Sequence, residues 1–574
     1  MILQALTQHY NMLNARGEIS APGWGTPKIS YELCLNENGE ILRVSSLLRE
    51  VDNGKGKTIL RPRVDIQLPA EVKRSSDKKA NFLWDNSTFL FGVDTKGNPK
   101  RSIECFIAAA KLHHELLDDV DSPIAHAILR FFDTWKPEET VKHPALADDY
   151  DKIIGGANLL FSVNGKFAQD DSSIRTAWEH YYNEDSDLPK QQCLISGKMD
   201  GVISKHPSIK GVDDAQPSGA VIVTFNAESF CSYGHKKNEY NVPVGKTAAF
   251  AYTTALNHLI SDRAHTQHIG DTTVVYWAKT AEPQYSDLFS ELCGSESKVF
   301  SESAVANALK LLVHGEPCEE LDIDPNCTFY ILGLAPNASR LSVRFFLKNT
   351  FGELIKNVNA HYERLELKKT PAMLPLWRLL AETVNQKSKN RKPSPVMAGA
   401  VARSIWNGER YPAALLNGVM LRIRADSDVN WRRAAIIKAY YLKNEDKDCP
   451  KEVLLVGLNE SSTNIAYSLG RLFSVYEAVQ QAASPKINTT IKDKYFNSAS
   501  ATPAVIFPIL GNLCQKHLRK LDKGLQTYYN QQIGQIKDIL GENYPTRLNL
   551  PQQGSFDLGY YHQTQKRYTK KEDK

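Results

Sequence analysis

Thr272-Thr273-Val274-Val275-Tyr276-Trp277-Ala278 is an uncharged run of β-branched and aromatic residues, and that composition reads as a strand. Two further strand-like runs follow, Cys327–Leu334 and Leu341–Leu347, on either side of the turn residues Ala335-Pro336-Asn337. Upstream, the Gly/Pro-rich loop Gly211–Gly219 leads into the apolar run Ala220–Phe225, read as a buried strand. A second loop, Tyr233–Gly245, leads into a helical pattern at Thr247–Ser261. Beyond Pro371 strand signals fade. Helical spacing recurs instead at Met373–Val384, Pro395–Trp406, Ala413–Ile423, Trp431–Leu442, Ile465–Ala483, Ala504–Lys520 and Tyr528–Leu540. From Asn549 the sequence turns polar and reads as a mobile tail. Toward the other end, Ile2–Leu13 has helical spacing closed by Arg16-Gly17. The β-like runs Lys28–Leu35, Glu40–Ser46 and Phe89–Val93 are punctuated by Asn38-Gly39, Asn53-Gly54 and Lys96-Gly97-Asn98-Pro99, which read as hairpin turns. A helical stretch then runs from Arg101 to Trp135. The expected class is α+β, with sheet-containing N-terminal and central domains followed by an all-α bundle. The segments are 1–140, mainly β with helices, 141–370, α+β, and 371–574, a basic helical bundle.

A chain of 574 residues exceeds what one hydrophobic core usually organises, so several domains are expected. No stretch is long and apolar enough to cross a bilayer and no export signal is evident. Nine scattered cysteines without a C-x-x-C pair fit buried thiols in a reducing, cytoplasmic setting better than disulfides or a zinc cage. The formal charge of +5 hides an asymmetry. Residues 371–574 hold 30 Lys and Arg against 17 Asp and Glu, leaving a balance of −8 before them. A basic C-terminal region suggests a polyanion partner, since cations gain by displacing counterions from phosphates. Docking of the acidic part on the basic part would use the same asymmetry.

Catalytic patterns fail on inspection. Gly54-Lys55-Gly56-Lys57-Thr58 and Gly245-Lys246-Thr247 lack the upstream glycine of a phosphate-binding loop, with Val51 and Tyr240 in its place. His114-Glu115-Leu116-Leu117-Asp118 has an aspartate where a zinc-protease helix needs its second histidine. His113 and His114 therefore read as surface residues. The acidic group Asp118, Asp119 and Asp121 has no partner motif for a two-metal nuclease. No catalytic residue, metal or cofactor is expected.

Three regions suit nucleic acid. In the segment Lys73–Ser87, cations that can hold phosphates stand beside Asn81 and Asn86, whose amides can pair with a base edge. A solvated loop plugged into a core by Phe82 and Trp84 would share that composition. The loops Lys210–Gly219 and Ser232–Asn241 bracket the run Ala220–Phe225 and offer Gln216, Lys236 and Asn241 beside glycines that allow close approach. In the bundle, Arg422, Arg424, Arg432, Arg433 and Lys438 interleave with Trp431, Tyr440 and Tyr441. Arg471, Lys486, Lys492, Lys494 and Tyr495 follow. That mixture suits a track for a single strand, or equally a core with a solubilising face.

At these residues the chain resembles the large subunit of the type I-C CRISPR-associated complex for antiviral defence (Cascade). The likeness begins at Met1-Ile2-Leu3-Gln4-Ala5-Leu6 and Pro22-Gly23-Trp24 and continues through Asn81-Phe82-Leu83-Trp84-Asp85-Asn86. It is clearest at His206-Pro207, Lys210-Gly211-Val212, Ser218-Gly219-Ala220, Ser232-Tyr233-Gly234 and Ala249–Asn257. Leu332–Asn337, Leu469-Gly470-Arg471-Leu472 and Ser498–Pro503 extend it. The resemblance implies a non-catalytic subunit of an RNA-guided complex, in which guide RNA pairing reads the target and protein reads a short adjacent motif in double-stranded DNA. It implies a position beside the subunits of the complex backbone and those holding the guide 5′ handle. It also implies a role in opening the duplex and in recruiting a separate helicase-nuclease. The C-terminal region resembles the small subunits that hold the displaced strand. A small subunit can arise in this family by internal translation, and here the last methionine is Met420, so a shorter product would need another start codon. Lys73, Arg74, Asn81, Asn86, Gln216, Lys236 and Asn241 are the expected motif readers. Arg432, Arg433, Arg471, Lys492 and Lys494 are the expected contacts of the displaced strand. A metal-dependent nuclease and a purely structural scaffold are the alternatives.

Overall fold

The computed structural model describes the chain except residues 53–57, 73–77, 96–97, 184–187, 238–239, 295–297, 372, 390, 542 and 569–574. It is α+β with a C-terminal helical region, and it divides into two compact units. The first comprises Met1–Pro207 and Thr224–Ala255, the second Ser208–Val223 and Leu256–Lys574.

In the first unit the all-buried strand Tyr31–Leu35 lies between Ile41–Ser46, antiparallel, and Asn158–Val163, parallel, with Trp84–Asn86 beyond. The Asn38-Gly39 hairpin forms where expected, with Gly39 at φ 81°. The parallel pairing of residues 31–35 with 158–163 carries one sheet across residue 140, so the expected boundary there cuts through a sheet. Helices Pro99–Leu117 and Pro123–Thr134 pack beside it. Each opens on a side-chain cap, Asn98 or Ser122, followed by proline. Asn98-Pro99 thus starts a helix instead of closing a hairpin. Phe89–Val93, read as a strand, opens instead as the short helix Ser87–Leu90, because Asn86 caps it by accepting from Thr88 N–H.

The second unit holds an antiparallel sheet ordered Thr266–Ile269, Thr272–Ala278, Thr328–Asn337 and Arg340–Thr350. All seven residues of Thr272–Ala278 are buried. The last hairpin turns at Ala338-Ser339, not at Ala335-Pro336-Asn337, because pairing continues to Asn337 and Arg340. Ala220–Phe225 is not a strand. Only Ala220, to Ile209, and Val221, to Arg340, make isolated bridges, and both lie in the second unit, whose share of this run ends at Val223.

One hydrophobic core runs from Ile269 to Tyr561. Trp406 of the helical region packs on Phe289 and Phe345, with ring centroids 5.8 Å away in each case, so residue 371 does not separate two cores. Helix Ile465–Ala483 is buried all round from Ala466 to Val479, as expected of a helix surrounded by others. Its main neighbour was missed. The supposed mobile tail forms helix Leu550–Tyr568, buried from Gln553 to Gln563.

That segment looks polar because its polar groups are satisfied internally. Tyr560 Oη donates to Glu477 (2.6 Å), Gln563 accepts from Arg471 (3.3 Å) and Gln553 accepts from Arg424 (2.6 Å). His562 Nε2 and, more costly, Asp557 are exceptions, since neither that nitrogen nor either Asp557 carboxylate oxygen has a hydrogen-bond partner among the described residues. Burial pushes the Asp557 pKa well above the ordinary value, with the nearby Arg424 charge opposing only in part. A carboxyl whose folded pKa is raised stabilises below its unfolded pKa, about 3.9, and that contribution is lost as pH rises toward the folded value. Asp557→Asn is therefore expected to become progressively more stable than the native chain between pH 5 and pH 8, read from urea midpoints. A difference independent of pH would contradict the assignment.

Candidate nucleic-acid interface

In the first unit, the short helical turn Glu228–Phe230 leads into a loop that folds back on itself. His235 N–H donates to Ser232 O (3.1 Å), and the two residues between, Tyr233 and Gly234, both sit in the left-handed region at φ 55° and 78°. This is the backbone of a type I′ turn, costly for tyrosine and easy for glycine. Asn241 braces it, because its Oδ1 accepts from Ser232 N–H (3.2 Å) and its Nδ2 donates to Lys236 O (3.0 Å). The result holds Tyr233 97% exposed, beside exposed His235, Lys236 and Lys237. These residues line a depression of about 570 Å³ with Glu228 and Cys231. A ring kept out of every core, next to cations on a braced turn, can stack on a base while the lysines hold phosphates.

Other expected motif readers fare differently. Lys73 and Arg74 lie outside the described residues. Asn81 is 3% exposed. Its Oδ1 accepts from Val72 N–H (2.9 Å) and its own N–H donates to Asp85 (2.9 Å). It builds the fold in place of reading bases. Asn86 is the helix cap described above. Gln216 is exposed on a loop of the second unit. Asn257 braces that loop, accepting from Lys210 N–H (2.8 Å) and donating to Ser208 O (3.1 Å). Gln216 and the pair Lys236 and Asn241 thus belong to different units, and the strand expected to join their loops is absent.

In the bundle, the expected strand contacts are mostly engaged within the protein. Arg433, 5% exposed, donates to Glu382 (3.0 Å), Asp426 (2.6 Å) and the Asp428 carbonyl (2.9 Å). Arg432 reaches Glu382 at 3.2 Å. Arg471 is buried against Gln563 and the Glu460 carbonyl, and burial lowers its pKa. Lys492 lies 3.7 Å from Asp428 and over the Tyr560 ring. Lys494 alone of the five is exposed, 5.1 Å from the Tyr495 ring centroid. Arg433 and Arg471 hold the bundle together, since burial without a carboxylate or carbonyl partner would be prohibitive, whereas Arg432 and Lys492 are half-buried beside their acids.

The acidic trio does not gather into a metal centre. Among the described residues no group of three or more His, Cys, Asp or Glu side chains could hold an ion. Asp118 accepts from His114 Nδ1 (2.8 Å), whose Nε2 meets Asp133 (3.0 Å). The hydrogen bond to Asp118 chiefly raises the imidazole pKa. His113 is not at the surface. It is fully buried among Phe82, Phe132 and Phe161, and its Nε2 accepts from Leu83 N–H (3.1 Å). None of the nine cysteines forms a disulfide, and all but half-buried Cys231 are buried. Among the described residues, no helix is long and apolar enough to cross a membrane.

The sequence carries the signature of a CRISPR-associated protein. A family model described as "CRISPR-associated protein (Cas_Csd1)" matches residues 6–568, and the chain belongs to that family. No curated protein matches it.

Proposed function

We propose that this chain is the large subunit of a type I-C surveillance complex and reads a short motif in duplex DNA beside the guide-matched target. In this reading it performs no catalysis, acts in the cytoplasm, and assembles with guide RNA, the backbone and handle-binding subunits and an internally translated small subunit. It begins duplex opening, steadies the displaced strand and helps bring in a separate helicase-nuclease. Family membership supports the setting, and cysteines without disulfides suit a reducing compartment. The observation that carries DNA reading is Tyr233, held in solvent by a left-handed turn that Asn241 braces, with Lys236 and Lys237 alongside.

The test is duplex binding by the reconstituted, guide-loaded complex across a library of adjacent motifs at two salt concentrations. Tyr233→Ala is expected to weaken binding to the preferred motif by about 10-fold, the scale of one lost base stack. Replacing Lys236 and Lys237 by alanine should weaken all motifs together and lower the salt slope by about 2. Unchanged affinity and selectivity in Tyr233→Ala would remove this loop from the reading, and selectivity that survives omission of the whole subunit would leave it a scaffold.

A further inference from the structure

The run Ala220-Val221-Ile222-Val223-Thr224-Phe225 has the β-branched and aromatic composition of a strand. Among the described residues it pairs at two points only, Ala220 antiparallel to Ile209 and Val221 parallel to Arg340. Val221 N–H donates to Ser339 O (3.2 Å) and Val221 O accepts from Leu341 N–H (2.9 Å), which is one rung of a parallel ladder. The chain then bends at Ile222 and Val223. Ile222, Val223, Thr224 and Phe225 are half-buried, yet their backbone groups make no hydrogen bond among the described residues. Backbone withdrawn from water is nearly always paired. A segment whose local preference and folded state disagree is where function or strain is to be looked for.

An open edge lies beside it. Strand Arg340–Thr350 is the last of its sheet and pairs on one side with Thr328–Asn337. On its other side the bridge to Val221 is the one pairing among the described residues. Leu341 turns its N–H outward to Val221, so by the alternation of an antiparallel pair Val343 turns its own N–H and C=O the same way. Neither these groups nor Leu341 O is bonded on that side among the described residues, and Val343 is 39% exposed. Beyond Val343 the strand bulges at Arg344, because Leu334 pairs with Val343 and Gly333 with Phe345. The open stretch is therefore residues 341–343. Continuing the ladder from Val221 sends Val223 N–H to Leu341 O and Val343 N–H to Val223 O, all within the second unit.

We infer that residues 221–223 are a latent fifth strand of this sheet, open in the free chain and closed onto residues 341–343 when a ligand engages the loop that leads into them. That loop carries exposed Gln216. Its ends are clipped together by Ile209 and Ala220, each N–H donating to the other's O at 2.7 and 2.9 Å. One flank is tied to the same sheet through Asp213, whose N–H donates to Thr273 Oγ1 (3.2 Å) and whose carboxylate meets His268 Nδ1 (2.9 Å). A loop held at both places passes a displacement of its tip through the clip to Val221, the next residue. Closure gains two backbone hydrogen bonds and loses the bend, a small net difference, so a ligand that prefers one loop position can reverse it. The inference rests on the proposed function only for the ligand, which is the target duplex.

Hydrogen–deuterium exchange at the Val223 and Val343 amides tests it, in the full chain alone, in the guide-loaded complex, and in that complex with target duplex. Duplex is expected to slow exchange at both amides by about 10-fold. Val223→Pro and Val343→Pro each remove an N–H that has no partner in the open state, and proline is tolerated on the open edge of a sheet. Both variants should keep the urea midpoint of the free chain, cancel most of the duplex-induced protection at the amide that remains, and weaken duplex binding by about 5-fold. Equal exchange with and without duplex in the native chain would overturn the inference, as would protection already complete before duplex is added. Motif selectivity of the complex is a separate readout, so its loss alongside duplex-induced protection would defeat the proposed function and leave the latent strand standing.

Discussion

Gly470→Ala is expected to destabilise the second unit by about 3 kcal/mol, the upper range for forcing a methyl group into a closed core. At the crossing of helices Ile465–Ala483 and Leu550–Tyr568, a Cβ on Gly470 would overlap the Phe556 carbonyl oxygen and lie 2.8 Å from Tyr560 N. The facing helix places Gly559 in the same position, where a Cβ would overlap the Tyr467 carbonyl oxygen and lie 2.9 Å from its carbon. Neither obstacle is a side chain that can rotate away. Both helices must separate, and every hydrogen bond between them stretches, including that of Tyr560 to Glu477. Because one separation relieves both clashes, the double variant should cost less than the sum of the single ones. Urea unfolding followed by circular dichroism gives all three values. Strict additivity, or Gly470→Ala within about 0.5 kcal/mol of the native chain, would mean that the helices do not cross this closely.

Arg433→Ala should cost about 3 kcal/mol as well, for an electrostatic reason. Its guanidinium joins Glu382 to Asp426 and also holds the Asp428 carbonyl. Arg432 remains beside Glu382 and Arg422 beside Asp426, so neither acid is left wholly alone. Glu382 is nonetheless buried, and a carboxylate that loses its best partner there keeps its desolvation cost. Arg433→Lys should recover less than half of the loss, since an ammonium cannot span three acceptors in a plane. Lys494→Ala, an exposed position, should leave stability within about 0.5 kcal/mol. The informative contrast is between stability and oligonucleotide binding measured on the same variants. Reduced binding with native stability in Arg433→Ala would restore it to the strand track and refute the buried network.

The interface was partly legible. Ser232-Tyr233-Gly234 and the lysines after it were visible as a polar loop, and a Tyr-Gly pair flanked by cations was the available signal for an exposed ring. The hydrogen bonds of Asn241 were not, because an asparagine that reads a base and one that braces a turn have the same neighbours in sequence. Asn81 shows the reverse error. Cations, amides and aromatics in one segment suggest a ligand, but the amide is enclosed with Asp85. Arg433 and Arg471 failed alike, since helical spacing does not reveal that a carboxylate or carbonyl from elsewhere in the chain meets each guanidinium.

By itself the sequence determined the elements whose signals are local. Strand Thr272–Ala278 and helices Pro395–Trp406 and Ile465–Ala483 form with the expected bounds, because β-branched composition and helical apolar spacing act within one segment. Helix Ile491–Ala501, not anticipated, carried the local signal of a capping box at Thr490 and Asp493. Tertiary structure decided what depends on partners far away in the chain. It buried a polar C-terminal helix whose hydrogen bonds close onto Glu477 and Arg471, and it gave Ala220–Phe225 two isolated bridges in place of a strand. It also separated cations used inside the bundle from those at the Lys516–Lys523 turn, which make no ion pair among the described residues. Charge and hydropathy belong to a residue, whereas burial and pairing belong to a place, and only the folded chain assigns places.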